Sequence, residues 1–211
     1  MNAAWTPAEQ PDSFVFDSAS EEEINSVLSK YPQERKASAV MPLLYIAQRQ
    51  MGRLTGSAWV PVVAMDVIAQ CLDMAAIRVY EVASFYTMFN TRPIGRYHLQ
   101  VCTTTPCWLR GSDDVVEACQ KATGIQHFGE TSADGLFTMT EVECLGACAN
   151  APILQVDDDF YEDMTAQSTA AVIAELRAGR RPTPGPSVNR SVSAPAGGRK
   201  TLLSSSTAEK E

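Results

Sequence analysis

Two short cysteine pairs set the first condition on any fold of this chain. Cys102 and Cys107 are separated by four residues, Cys144 and Cys148 by three, and 36 residues (108–143) lie between the pairs. Each pair sits on one short loop, so a fold that uses all four thiols must bring two distant loops side by side. Four thiolates form a soft ligand set suited to zinc or to an iron-sulfur centre, and spacing alone leaves both open. Neither pair has the Cys-x2-Cys spacing of a redox dithiol or of the commonest zinc knuckles.

Compartment bears on how six cysteines are used. The first Arg is Arg35, and the opening residues lack a basic segment followed by an apolar one, so no secretory or mitochondrial targeting peptide is expected. A bacterial cytosolic or already processed chain follows, in which metal binding outranks disulfides. No apolar run approaches the ~20 residues of a membrane span, so membrane association is expected only through partners, peripheral to the inner membrane or on the matrix side if mitochondrial. The net charge of -8 is uneven: residues 180–211 carry six basic and two acidic groups, leaving 11 basic and 23 acidic groups on residues 1–179. So acidic a body repels phosphate backbones, which excludes nucleic acid as a partner.

Periodicity divides the chain into an extension at 1–18, a helical bundle at 19–92, an α/β domain at 93–179 and a Pro/Ser-rich basic tail at 180–211. Glu21, Glu22 and Glu23 load the first turn of a helix whose apolar stripe is Ile24, Val27 and Leu28. A second helix is expected over 33–50, kinked or delayed by Pro42 and stopped by Gly52, and a third over 61–72, opened by Pro61. Residues 76–89 leave no wide polar face, which predicts a helix buried on more than one side or waiting for a partner protein.

From Tyr97 the period changes to two, giving a strand that delivers Cys102. A turn at 103–106 and a helix from Trp108 to Ala122 should follow, with a weakly marked strand at 125–128. A hairpin at Asp134-Gly135 and a strand through Phe137, Met139 and Glu141 then lead to Cys144. A second hairpin around Asp157-Asp158-Asp159 and a helix capped by Thr165 and stopped by Gly179 complete a thioredoxin-like α/β arrangement. The tail, rich in Pro, Gly and Ser, is expected to be disordered.

Thr103, Thr104 and Thr105 offer hydroxyl and N–H donors beside the first pair, and Gly146 lets backbone approach the second; such donors tune a cluster's potential. His98 and His127 are badly placed for mixed ligation. Cys71 and Cys119 fall at apolar helical positions, where burial as a small hydrophobe is the default.

The strings at residues 78–90, 101–107 and 143–148 carry a specific resemblance. They are similar to the NuoE family, the thioredoxin-like ferredoxin subunit of the respiratory NADH:quinone oxidoreductase, complex I. The match runs from about Ser20 to Gly179, departing at Ala75-Ala76, where the family would have a proline. The resemblance implies one 2Fe-2S cluster on Cys102, Cys107, Cys144 and Cys148, an amino-terminal helical bundle, and docking against a flavin-bearing, NADH-binding subunit within the peripheral arm. The chain itself has no Gly-x-Gly-x-x-Gly turn after a strand, so FMN and NADH are expected on that partner and no catalytic residue is assigned here. It would then be a subunit of an oxidoreductase, not an NADH dehydrogenase alone. The equivalent subunit of an NAD-linked hydrogenase or formate dehydrogenase would share cluster and partner. From another class, a zinc-binding adaptor explains the same thiolates, and a dithiol enzyme lacks its motif.

Overall fold

The computed structural model describes residues 10–198 and 201. The chain divides into two compact units, Met1–Arg96 and Tyr97–Glu211. The division falls after the expected boundary at residue 92 because Asn90 and Ile94 are tied back into the first unit. Val60 N–H donates to the Asn90 carbonyl (2.8 Å), and Ser57 Oγ donates to the Ile94 carbonyl (2.7 Å).

The first unit packs α1 (Ser18–Leu28), a 3-10 segment (Gln33–Ala39), α2 (Val40–Thr55), α3 (Val62–Leu72) and α4 (Ala76–Phe85) around one apolar core. Helix α1 begins earlier than the glutamate run predicts, because Asp17 accepts from the Ser20 N–H at 2.8 Å and so caps the helix. Pro42 does delay the α-helix: the chain runs as 3-10 helix to Ala39, and Pro42 stands in the first turn of α2, where a missing N–H costs nothing. That helix stops at Gly56 (φ +77°), not at Gly52. Gly52 instead admits the Ala58 methyl, which would lie only 3.2 Å from an added Cβ.

Helix α4 decides between two expectations and is shorter than expected. Val79 and Ala83 are buried, yet Ile77 and Phe85 are exposed, and the helix ends at Phe85 rather than continuing to Phe89. The absence of a polar face thus marks an uncovered apolar surface and not all-round burial. Phe89 turns back into the core, its ring 5.0 Å from that of Tyr45.

The second unit is built on a five-stranded sheet in the order β2-β1-β3-β4-β5, from β1 (Tyr97–Cys102), β2 (Phe137–Val142), β3 (Leu154–Val156), β4 (Asp159–Glu162) and β5 (Gly185–Pro186). Strands β1 and β2 are parallel, joined through α5 (Thr105–Leu109) and α6 (Ser112–Thr123); β3 runs antiparallel to β1, and β4 to β3. Helices α6 and α7 (Ala166–Arg177) pack against one another, and α7 opens with a capping box between Thr165 and Ser168. Period two explains the placement of the first cysteine. Tyr97, Leu99 and Val101 enter the core shared with Val115, Cys119, Ile173 and Leu176, so Cys102 points to the opposite face at the end of an interior strand.

The single helix expected over 108–122 is two, because Gly111 adopts φ +97° and breaks it. No strand forms at 125–128: the Glu130 carboxylate accepts from the Gln126 and His127 N–H groups (3.1 and 2.9 Å), drawing them into a loop. The Asp134-Gly135 turn closes only one isolated bridge, Thr131 to Thr138.

Residues 180–198 depart from the disorder expected of the tail. Beyond Gly179 the chain continues as part of this unit, with β5 pairing β4 and the Tyr161 hydroxyl donating to the Pro182 carbonyl at 3.0 Å. The cause is its basic residues: Arg181 reaches Asp157 and Asp159, and Arg190 reaches Asp163 at 2.7 Å. The remainder of the tail, 199–200 and 202–211, and the first nine residues of the extension lie outside the described residues. No helix among the described residues is long and apolar enough to cross a membrane.

Candidate metal centre

Cys102 ends β1, and the chain turns through Thr103 and Thr104 into α5, whose first turn contains Pro106 and whose third residue is Cys107. Thr104 stands at the N-cap position of α5, but its hydroxyl does not cap the helix; it lies 3.2 Å from the Cys102 sulfur. The Cys102 N–H donates to the Ile153 carbonyl at 3.3 Å, and the Ile153 N–H is turned on the Cys107 sulfur. Both thiols of this pair are only 1% exposed.

The second pair leaves β2 two residues after Val142. Gly146 adopts φ +78°, a conformation that would strain any other residue, and this aims its N–H at the Cys144 sulfur, 3.4 Å away. The two sulfurs of this pair are 3.2 Å apart, and both cysteines are exposed.

The electrostatics bind the two loops into one site. Burial, followed by the neighbouring Cys102, pushes the Cys107 thiol up to about 12. Cys144 is lowered, first by the Gly146 N–H and then by Cys148 and the Thr104 hydroxyl; Cys148 is raised, chiefly by its bond with Cys144. The Thr104 hydroxyl thus lies on the Cys102 sulfur and helps lower Cys144, and Cys102 helps raise both Cys107 and Cys148. Thiols raised by neighbouring sulfurs, as Cys107 and Cys148 are, ionise more readily when a cationic centre stands beside them. Among the described residues no group of three or more Cys, His, Asp or Glu converges on one mononuclear position. Two sulfur pairs flanked by hydroxyl and amide donors fit a two-iron cluster better than one zinc ion.

The histidines stay out of this chemistry. His127 is exposed in the loop after α6, and His98 is buried on β1 with its Nε2 2.8 Å from Thr140 Oγ1. Burial lowers His98 to about 4, below its ordinary 6.5, so between those values the unfolded chain binds the extra proton. Stability is thus full above pH 6.5 and declines as pH falls towards 4. From pH 7 to pH 5 the wild type should lose about 2 kcal/mol more than His98→Gln. Denaturant midpoints at the two pH values check this; parallel losses in both proteins would refute it.

Cys119 is fully buried between helix and sheet, and burial pushes its thiol up to about 12, the behaviour of an apolar side chain. Cys71 departs from expectation: it is exposed on α3, because the buried stripe of that helix runs through Ala64, Met65, Ile68, Ala69 and Leu72. Sequence reasoning missed Ile153, whose N–H and carbonyl serve both cysteines of the first loop, since a backbone role leaves no side-chain signal. It also missed the pair beside Cys107, Trp108 and Leu109, which are 57% and 70% exposed and form an apolar rim.

Comparison with known proteins agrees with this geometry. A family model described as thioredoxin-like 2Fe-2S ferredoxin matches residues 24–177. The chain is 49% identical over 164 residues to an NADH-quinone oxidoreductase subunit of Rickettsia conorii, covering 78% of this chain and 95% of that one. It is 44% identical over 190 residues to the mitochondrial NADH dehydrogenase (ubiquinone) flavoprotein 2 of Dictyostelium discoideum, covering 90% and 74%. Among solved structures it is similar to an air-oxidised NAD+-reducing NiFe-hydrogenase, with a TM-score of 0.57 at 19% identity. That likeness spans 71% of this chain and 24% of the hydrogenase chain, and at such identity it speaks for the fold alone.

Proposed function

This chain belongs to the thioredoxin-like 2Fe-2S ferredoxin family, and on that premise we propose that it is the electron-carrying subunit of the NADH-oxidising module of an NADH:quinone oxidoreductase. Cys102, Cys107, Cys144 and Cys148 are its ligands for one 2Fe-2S cluster, and a partner subunit carries the flavin and the NADH site. The observation that carries this reading is two cysteine pairs on two loops, with the Thr104 hydroxyl 3.2 Å from the Cys102 sulfur and the Gly146 N–H turned on that of Cys144.

When bound, the cluster supplies a one-electron store, the counterpart of a flavin that takes two electrons from NADH and returns them singly. The chain's residues provide its setting. Cys102 and Cys107 anchor the buried side, while Cys144 and Cys148 lie at the surface, where a partner's flavin can approach. Donors on sulfur favour the added negative charge of reduction. Trp108 and Leu109 give a partner apolar surface whose covering excludes water beside the site. Ile77, Phe85 and Tyr86 offer a second such surface on the helical unit.

The names of the 49% and 44% identical relatives support the quinone-linked enzyme over an NAD-linked hydrogenase or formate dehydrogenase. Location follows from that assembly: peripheral to the membrane, attached through other subunits. The test is anaerobic purification of the native complex with iron, acid-labile sulfide and flavin analysis, then electron paramagnetic resonance after dithionite reduction. Equal iron and sulfide with a rhombic signal is expected; a colourless, zinc-containing, silent chain would end the reading.

A further inference from the structure

The second cysteine loop continues directly into a buried residue, Asn150, two positions after Cys148. Its side chain is held from three directions. Arg190 Nη1 donates to Asn150 Oδ1 at 2.8 Å, and Asn150 Nδ2 donates to the Val192 carbonyl at 2.9 Å and to the Glu162 carboxylate. Arg190 Nη1 also reaches the Ala149 carbonyl at 3.3 Å, while Nη2 donates to Asp163 Oδ1 at 2.7 Å.

This arrangement differs from a simple ion pair. A guanidinium facing a carboxylate usually makes two parallel bonds. Here one arm goes to Asp163 and the other to the cysteine loop, leaving Asp163 Oδ2 and Arg190 Nε buried without a partner. The Arg190 and Asp163 side chains are only 12% and 6% exposed, so the choice is made where a missed bond is costly. Val192, a β-branched residue, adopts φ +51° where its carbonyl meets Asn150, a second local cost on the same contact. The segment is anchored upstream by β5 and by Ser187, whose Oγ donates to the Asp163 carbonyl at 2.6 Å. The match to the family model ends at residue 177, before this segment begins.

We propose that Arg190 is a positioning residue for the metal centre, and that residues 185–192 form a strap locking the Cys148–Asn150 turn in the geometry that presents Cys144 and Cys148. The inference rests on the reading of the four cysteines as cluster ligands. Without the strap the turn keeps its bonds to Glu162 and to the Asp163 N–H but loses those to Arg190 and Val192, and the cluster loses its outer sulfurs more readily.

The full chain is purified anaerobically with its cluster as wild type, Arg190→Ala and Arg190→Lys. Three quantities are measured: the rate of cluster bleaching under a ferrous chelator, the electron paramagnetic resonance g-values after reduction, and amide hydrogen exchange across residues 144–151 in loaded and iron-free protein. Arg190→Ala is expected to bleach roughly ten to a hundred times faster, the range seen when an outer-shell partner of a metal ligand is lost, with shifted g-values and lost protection at residues 148–151. Lys keeps the charge beside Asp163 but lacks the fork, so Arg190→Lys should bleach at an intermediate rate. Either variant, folded and showing wild-type bleaching, g-values and exchange, overturns the strap, and Arg190→Lys decides the matter where Arg190→Ala does not fold. A wild-type chain that takes up no iron overturns the ligand reading instead; exchange in the iron-free proteins then tests the strap separately.

Discussion

Alanine at Cys102, Cys107, Cys144 or Cys148 abolishes the iron-sulfur absorption and the reduced-state resonance signal of the purified chain, whereas alanine at Cys71 or Cys119 leaves both unchanged. The expected loss of bound iron at each of the four positions exceeds about tenfold, since even outer-shell partners of ligands are worth ~10–100-fold. The two pairs fail differently. Cys144 and Cys148 are exposed, so their truncation removes a ligand with little effect on the folded chain. Cys102 and Cys107 are buried, and each truncation adds a small cavity beside Ala151 and Ile153. Cys119→Ala is the stringent control, because it also deletes a fully buried sulfur but one enclosed by apolar neighbours in the helix-sheet core. Iron content, visible spectra and thermal unfolding of the six variants check the assignment. Retention of the cluster in the four variants, with loss in Cys71→Ala and Cys119→Ala, would overturn it.

The same contrast shows what the residue pattern could and could not reveal. Strand β1 was legible because alternation is forced when one face of a strand is covered, and that alternation also set Cys102 apart from Leu99 and Val101. Both ends of α7 were legible because Thr165 and Gly179 are local signals that need no tertiary partner. Burial of Cys71 was wrongly expected, and for α4 the pattern left burial on several sides and an uncovered face equally open, since an apolar residue type does not say whether another element arrives to cover it. The order of residues 180–198 went unread for a related reason. Arg181 and Arg190 look like solubilising charges in a Pro- and Ser-rich stretch, and only the fold supplies Asp157, Asp159, Asp163 and Asn150 opposite them. At the site, the candidate ligand set follows from spacing and flanking residues, whereas Ile153 and Arg190 make long-range contacts that no local pattern encodes.

Phe137→Ala should be the most destabilising single substitution in the α/β unit that leaves every cysteine intact. Phe137 opens β2, is 0% exposed, and stacks with its ring centroid 5.7 Å from that of Tyr97 in the partner strand. The Arg177 guanidinium of α7 lies 5.2 Å from its centroid, so the ring joins both strands to the last helix. Truncating a buried Phe costs about 3–5 kcal/mol, of which the cation-π contact at a partly exposed arginine is about 0.5–1 kcal/mol. Such a loss lowers the unfolding temperature of a unit of this size by on the order of 20 °C. Leu109→Ala, at a side chain 70% exposed, should change stability by no more than about 0.5 kcal/mol. Strand β2 ends two residues before Cys144, and its parallel partner β1 ends on Cys102, so the ladder that Phe137 secures leads to a proposed ligand in each loop. Melting of the fold and bleaching of the cluster should therefore coincide in the loaded protein, and both should fall together in Phe137→Ala. Parallel circular dichroism and visible-absorbance melts measure this, and bleaching at the wild-type temperature in a destabilised variant would show that the cysteine loops do not depend on the β1–β2 ladder.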